Sequence, residues 1–281
     1  MCFELDSAPP IPAISGAAVS HRELELEAAG GNRSAAFGAE PDEPTGACVV
    51  ILPDVRGLYR FYEELALRFA ERGHRAVAID YFGRTAGVGK RGEDFEYQEH
   101  VAKTTPEGIQ ADVRAAVEWV RGEGCRAIFT VGFCFGGHHS WLSAAGGHGL
   151  AGAIGFYGVP GQRGGRPGPI QRAGEFEAPI LALQAGADAN ITTEANEEFD
   201  RALEKAGIEH EVVTYEGRPA QLLRSQAGGV PGRLRGRLEP RPGLHRPPQR
   251  VGNWIQNPMF SSPKGGKMAS GTRLRIRKLE G

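Results

Sequence analysis

The sequence predicts a single α/β domain on a mostly parallel, doubly wound sheet, followed by a disordered basic tail. Three observations predict it. Short apolar runs alternate with helical stretches from residue 47 to residue 215. A glycine-flanked cysteine, Gly132-Phe133-Cys134-Phe135-Gly136, joins one of those runs to a helix. Beyond Gly217 every periodic pattern stops, and Gly, Pro and Arg dominate. These place the domain at residues 1–217 and the tail at 218–281.

Taken in order, Arg22 to Ala28 alternates charged and apolar residues as an edge strand does, and Ser34 to Ala39 is a weaker partner. Ala47 to Leu52 is continuously apolar, as suits a strand buried on both faces. Tyr59 to Glu71 carries Phe61, Leu65 and Phe69 at helical spacing, and His74 to Ile79 is a strand. A polar loop from Asp80 holds Arg84. Pro106 stands at the first position of a helix whose apolar face is Ile109, Val113, Val117 and Val120. Ala127 to Val131 is a strand, and a helix starts at Phe135. Strand Ala151 to Phe156, a Gly/Pro/Arg-rich loop from Val159 to Gly174, strand Pro179 to Leu183, helix Thr192 to Ala206 and strand Glu211 to Tyr215 complete the domain.

The stretch around Cys134 points to chemistry. A strand entering a sharp turn that opens a helix presents one nucleophilic side chain at the apex, and glycines two before and two after let the neighbouring backbone approach. A thiolate there sits at a helix N-terminus, where the dipole and unpaired N–H groups favour the anion. The adjacent His138-His139 pair diverges on a helix and reads as structural rather than metal-binding.

Composition narrows the function classes. The four cysteines, Cys2, Cys48, Cys125 and Cys134, have neither metal-ligand spacing nor the pattern of a secreted disulfide framework. The opening Met1-Cys2-Phe3-Glu4-Leu5-Asp6 lacks a signal-peptide pattern, and no apolar run approaches the ~20 residues of a membrane span. A reducing, cytoplasmic setting is expected, with no membrane partner, no metal and no cofactor. Charge is divided: residues 218–281 hold 14 Lys+Arg and 2 Asp+Glu, leaving 19 and 32 for residues 1–217.

Five segments together make the chain resemble the dienelactone hydrolase family, whose fold is the α/β-hydrolase fold. They are Met1 to Ser7 with Pro9-Pro10-Ile11-Pro12; Leu52-Pro53-Asp54-Val55-Arg56-Gly57-Leu58; Ala78-Ile79-Asp80-Tyr81-Phe82-Gly83-Arg84-Thr85; the Cys134 elbow; and Leu183-Gln184-Ala185-Gly186-Ala187-Asp188. The resemblance implies a Cys-His-Asp triad that hydrolyses an enol-lactone or related carboxylic ester, a carboxymethylenebutenolidase-like activity on a small molecule. It implies Cys134 as nucleophile and Asp188 as the acid that orients the histidine. The oxyanion hole falls to the N–H groups of Phe135 and Val55. Asp54 stands where many members carry a glutamate that helps activate the thiol. Arg84 matches an arginine that binds the substrate carboxylate, and Arg56 is a second candidate. Other readings of the same residues are a solvated loop charge for Arg84, a loop acid for Asp54 and a turn cap before Thr192 for Asp188.

The histidine is absent. The family carries it after the last strand in a Pro-His-Ser-Phe-Phe type segment, whereas Gly217 is followed here by Arg218-Pro219-Ala220-Gln221-Leu222-Leu223-Arg224-Ser225. His210 precedes that strand and His245 lies in the tail. Permitted codons for Arg218 to Ser225, read one nucleotide on, spell Ala-Pro-His-Ser-Phe-Phe-Asp. The shifted frame continues as an amphipathic helix to the codon of His245. A frameshift near Gly217 is therefore expected, and the chain as written lacks both its base and the helix that closes the fold. Two rival functions are another carboxylester or thioester hydrolase on the same scaffold, and a non-catalytic protein whose basic tail contacts nucleic acid.

Overall fold

In the computed structural model, residues 7–9, 11–188 and 190–215 are described. The opening motif Met1 to Asp6, the segment where the histidine is missing and the 218–281 tail lie outside them. Eight strands form one sheet: β1 (Val19–Ala28), β2 (Asn32–Pro41), β3 (Ala47–Leu52), β4 (Arg75–Ile79), β5 (Ala127–Phe133), β6 (Gly152–Phe156), β7 (Ile180–Ala185) and β8 (His210–Tyr215). Their order is β1-β2-β4-β3-β5-β6-β7-β8. The β1–β2 and β2–β4 pairings are antiparallel, and every pairing from β4 to β8 is parallel. The expected mostly parallel, doubly wound α/β sheet is what the chain forms.

Strand alternation divides the core into two layers. Val49 and Ile51 of β3 join Phe129, Val131, Ile154, Leu181 and Leu183 on one face, against Phe61, Leu65 and Phe69 of α1 (Arg60–Ala70). Val50 and Leu52 turn the other way, toward α4 (Pro106–Gly122), α5 (Phe135–Ser143) and α7 (Thr193–Ala206). Pro106 does open α4, with Thr105 as N-cap accepting the Gly108 N–H at 3.0 Å. The same device starts α7, where Thr192 accepts the Ala195 N–H.

Three expectations need correction. The polar loop around Arg84 contains two short helices, α2 (Gly83–Ala86) and α3 (Tyr97–Lys103). Neither buries a residue, so no apolar stripe announces them; His100 of α3 instead stacks on Phe95. The loop at 159–174 likewise holds α6 (Pro169–Arg172) and a 3₁₀ turn, Ala173–Glu175. Finally, Cys48 and Cys125 form a disulfide. Cys125 lies just ahead of β5, and the β3–β5 register, Cys48 opposite Ile128, brings the two together across 77 residues of sequence. No spacing rule reveals such a pair. Among the described residues no helix is long and apolar enough to cross a membrane.

Candidate active site

The elbow is built as its glycines require. β5 ends at Phe133, and Cys134 takes φ 56° and ψ −112° before α5 begins at Phe135. A non-glycine residue in that region is strained, and the strain is held by packing on both sides. A Cβ on Gly132 would overlap the carbonyl of Gly136, and one on Gly136 would overlap the carbonyls of Leu52 and Pro53. The Cys134 N–H donates to the Phe156 carbonyl at 2.9 Å, tying the apex to β6. Cys134 is half-buried and remains a thiol, while every residue of α5 behind it is buried.

The close approach of Gly136 to Leu52 and Pro53 places the elbow against the turn after β3. That turn is heavily braced. Tyr81 donates to the Pro53 carbonyl at 2.8 Å, and the Tyr62 hydroxyl accepts the Asp54 N–H at 2.8 Å. Burial, then the charges of Asp54 and Asp80, push the Tyr81 hydroxyl well above its ordinary range, so it stays a donor. Tyr59 donates to Asp54 Oδ2 at 3.0 Å, and Asp54 Oδ1 accepts the Arg56 N–H at 2.9 Å. Between these anchors lie Val55 and, across the contact, Phe135. Neither N–H has an acceptor among the described residues. For Phe135 this follows from its place in the first helical turn, whose amides lack intrahelical partners.

The expected residues thus fall into groups. Cys134, Phe135 and Val55 sit on adjoining backbone. Asp54 is fully buried and faces Arg56, which pairs with it at 3.3 Å, donates to Tyr59 at 2.6 Å and lies over the Tyr59 ring. Arg84, in α2, pairs with Asp112 of α4, which also accepts from Asn32 at 3.0 Å. Burial raises the Asp112 carboxyl even against that guanidinium. Asp188 lies three residues past β7, two strands from β5, half-exposed, and accepts the Asn190 N–H at 2.8 Å. The hydrogen bond is that of a turn-capping aspartate.

His138 and His139 are both buried, and their rings meet edge to face with centres 5.0 Å apart at 84°. Burial is the main cause holding His138 at about 4, and burial likewise pushes His139 well below the ordinary imidazole value. His210 opens β8 at the far end of the sheet and pairs with Asp200. Among the described residues no three His, Cys, Asp or Glu side chains form a metal-holding group.

Two features escaped the sequence reading. Asp80 and Arg91 form a buried pair at 2.7 Å beneath α2, detectable in retrospect only as a charge directly following an apolar strand. The Arg163 guanidinium lies 4.7 Å from the centre of the Phe135 ring. It comes from a Gly/Arg-rich loop without periodic signal.

Comparison with known proteins agrees with this architecture. The model of the dienelactone hydrolase family matches residues 34–220. A Rhodococcus opacus carboxymethylenebutenolidase is 26% identical over 226 residues, covering 77% of this chain and 83% of its own. A Yersinia pestis protein assigned the same activity is 26% identical over 193 residues, covering 66% and 72%. A crystal structure of a Klebsiella pneumoniae protein assigned as a dienelactone hydrolase superposes with a TM-score of 0.64 at 25% identity, covering 73% of this chain and 90% of that one. With the fold, the cysteine elbow and the matched span in agreement, the chain belongs to the dienelactone hydrolase family and is a hydrolase of that type.

Proposed function

We propose that Cys134 is the nucleophile for an enol-lactone or related carboxylic ester, and that the chain as written lacks the base that completes its triad. The observation that carries this reading is the strained Cys134 apex beside two acceptor-free amides, Phe135 and Val55. In the proposed reaction the thiolate adds to the ester carbonyl, and the new oxyanion accepts both N–H groups. Collapse expels the alkoxide or enolate with a proton from a general acid. Water then releases the acid from the thioester and regenerates the thiol. Asp188 orients the histidine that shuttles those protons, and its position past the C-terminal end of β7 suits a base supplied by the segment after β8.

Asp54 serves the turn rather than the thiol, since its carboxylate is occupied by Arg56 and Tyr59. The domain is assigned to residues 1–217, and the end of the family match at residue 220 supports that boundary. The tail is assigned to an out-of-frame reading. Sequencing the locus tests this: a one-base shift near codon 217 that restores a Pro-His-Ser-Phe-Phe type segment is expected. A clean read with no such segment in the alternate frame contradicts it.

One observation favours a second reading, a carboxylester or thioester without a carboxylate. Arg84 and Arg56, the expected anion binders, are both paired with aspartates. Assay of the frame-restored protein on a cis-dienelactone against neutral aryl esters separates the two. Nucleic-acid binding gains nothing, because its basic tail lies outside the described residues. A cytoplasmic location is the reading from the cysteine pattern, and the Cys48–Cys125 bond stands against a reducing one.

A further inference from the structure

With Arg84 and Arg56 engaged by aspartates, we propose that Arg163 is the residue that selects an anionic group on a ligand bound at Cys134. This rests on the reading of Cys134 as nucleophile and names the feature that would give that site a preference for carboxylates. The guanidinium of Arg163 lies 4.7 Å from the centre of the Phe135 ring, and Phe135 is the residue directly after Cys134. A stacked guanidinium keeps its N–H edges available for a carboxylate. Among the described residues Arg163 has no carboxylate partner, unlike Arg84, Arg56 and Arg91.

Its backbone is fixed for the task. Arg163 and Arg166 exchange both N–H···O bonds, at 3.2 and 3.1 Å, around Gly164-Gly165. Those glycines have φ of 58° and 73°, the signature of a two-residue hairpin turn that side-chain-bearing residues rarely enter. The loop is anchored next to α5, since His138 Nδ1 lies 2.7 Å from the Val159 carbonyl and Ile170 N–H donates to Pro160 at 2.9 Å. Arg166 points elsewhere, donating to the Thr104 carbonyl at 3.3 Å. The hairpin therefore carries one arginine to the elbow and one away from it.

Alkylation of Cys134 tests this on the protein as it stands, with no need for the missing base. Iodoacetate and iodoacetamide differ by one negative charge, and peptide mass spectrometry resolves Cys134 from the other cysteines. For Arg163→Gln the ratio of iodoacetate to iodoacetamide rates at Cys134 falls about five- to ten-fold, as expected for loss of one cation within reach of the anion. Arg163→Lys keeps most of the ratio, and Arg166→Gln leaves it unchanged. For the unaltered protein, molar salt lowers the ratio toward that of Arg163→Gln. An unchanged ratio in Arg163→Gln overturns the proposal, as does an equal fall in Arg166→Gln, which would reduce the effect to general loop charge. A Cys134 that alkylates no faster than Cys2 while the ratio still depends on Arg163 refutes the nucleophile reading and leaves the anion preference standing. A Cys134 that neither reagent reaches refutes both.

Discussion

The two faces of the sheet are held very differently. On one, α4, α5 and α7 pack against the strands, Trp141 of α5 meets Phe199 of α7 with ring centres 5.0 Å apart, and the elbow is crowded enough to exclude a single added carbon. On the other, α1 is the one helix among the described residues, and it packs on β1 to β4. β8, at the sheet's edge, has no buried residue along its length. Cys134 sits between the two faces: the helix it opens, α5, packs on the well-covered face, while its own side chain packs against the α1-side layer, and β5, α5 and the β3 turn fix its backbone. Asp188, by contrast, lies in a half-exposed turn past β7, held by one local hydrogen bond, and its proposed partner must come from beyond β8. The proposed nucleophile is thus rigidly held by its surroundings, while the rest of the proposed triad depends on chain that follows the last strand.

The largest effect expected from this contrast is on turnover. On the proposed reading, restoring the alternate frame after Gly217 would supply both the closing helix and the histidine, and kcat on an activated ester is then expected to rise about a thousand-fold or more. A restored chain with unchanged kcat breaks the link between the sparse face and catalysis. Next is a pair of stability measurements. Gly136→Ala forces a methyl into the Leu52 and Pro53 carbonyls and lowers the unfolding free energy by about 3 kcal/mol or more, whereas Asp188→Asn changes it by no more than about 0.5 kcal/mol. Equal costs in denaturant melts would erase the difference between the two regions.

The Cys48–Cys125 bond ties β3 to the start of β5, on the elbow's own strands. Thiol titration of the native protein is expected to find two reactive cysteines and, after reduction in denaturant, four. Replacing both by alanine costs about 2–4 kcal/mol by loop-closure reasoning, and four thiols in the untreated protein would remove the cross-link from the account. A smaller, graded effect follows from acid. Burial holds His74, His138 and His148 at about 4, below the ~6.5 they regain on unfolding. Unfolding therefore takes up protons between those values, so their contribution is intact above about pH 6.5 and is lost as pH falls toward 4. Two of the three lie with the helices of the well-covered face, His138 within α5 and His148 at 2.9 Å from Gln110 of α4, so that face is the one that acid weakens. A denaturation midpoint flat from pH 7 to 4 contradicts this.

What the sequence made legible follows the same division. β3 is found at Ala47–Leu52 and α4 opens at Pro106 because burial on both faces and an N1 proline leave direct marks on residue choice. The elbow is legible because backbone crowding permits only glycine at Gly132 and Gly136. α2, α3 and α6 present no apolar stripe, so the sequence offers only loop there. The Cys48–Cys125 pair, the engagement of Arg84 by Asp112 and the approach of Arg163 to Phe135 depend on which distant segments the sheet order brings together. Local pattern carries no record of that order.

The central claim, that Cys134 accepts the acyl group, is tested most directly by trapping. A nucleophile without its base should acylate with an activated aryl ester and deacylate slowly, so p-nitrophenyl acetate is expected to leave one acetyl group, mapped by peptide mass spectrometry to Cys134 and absent in Cys134→Ala. An unmodified Cys134, or an acetyl group that persists in Cys134→Ala, would contradict the account.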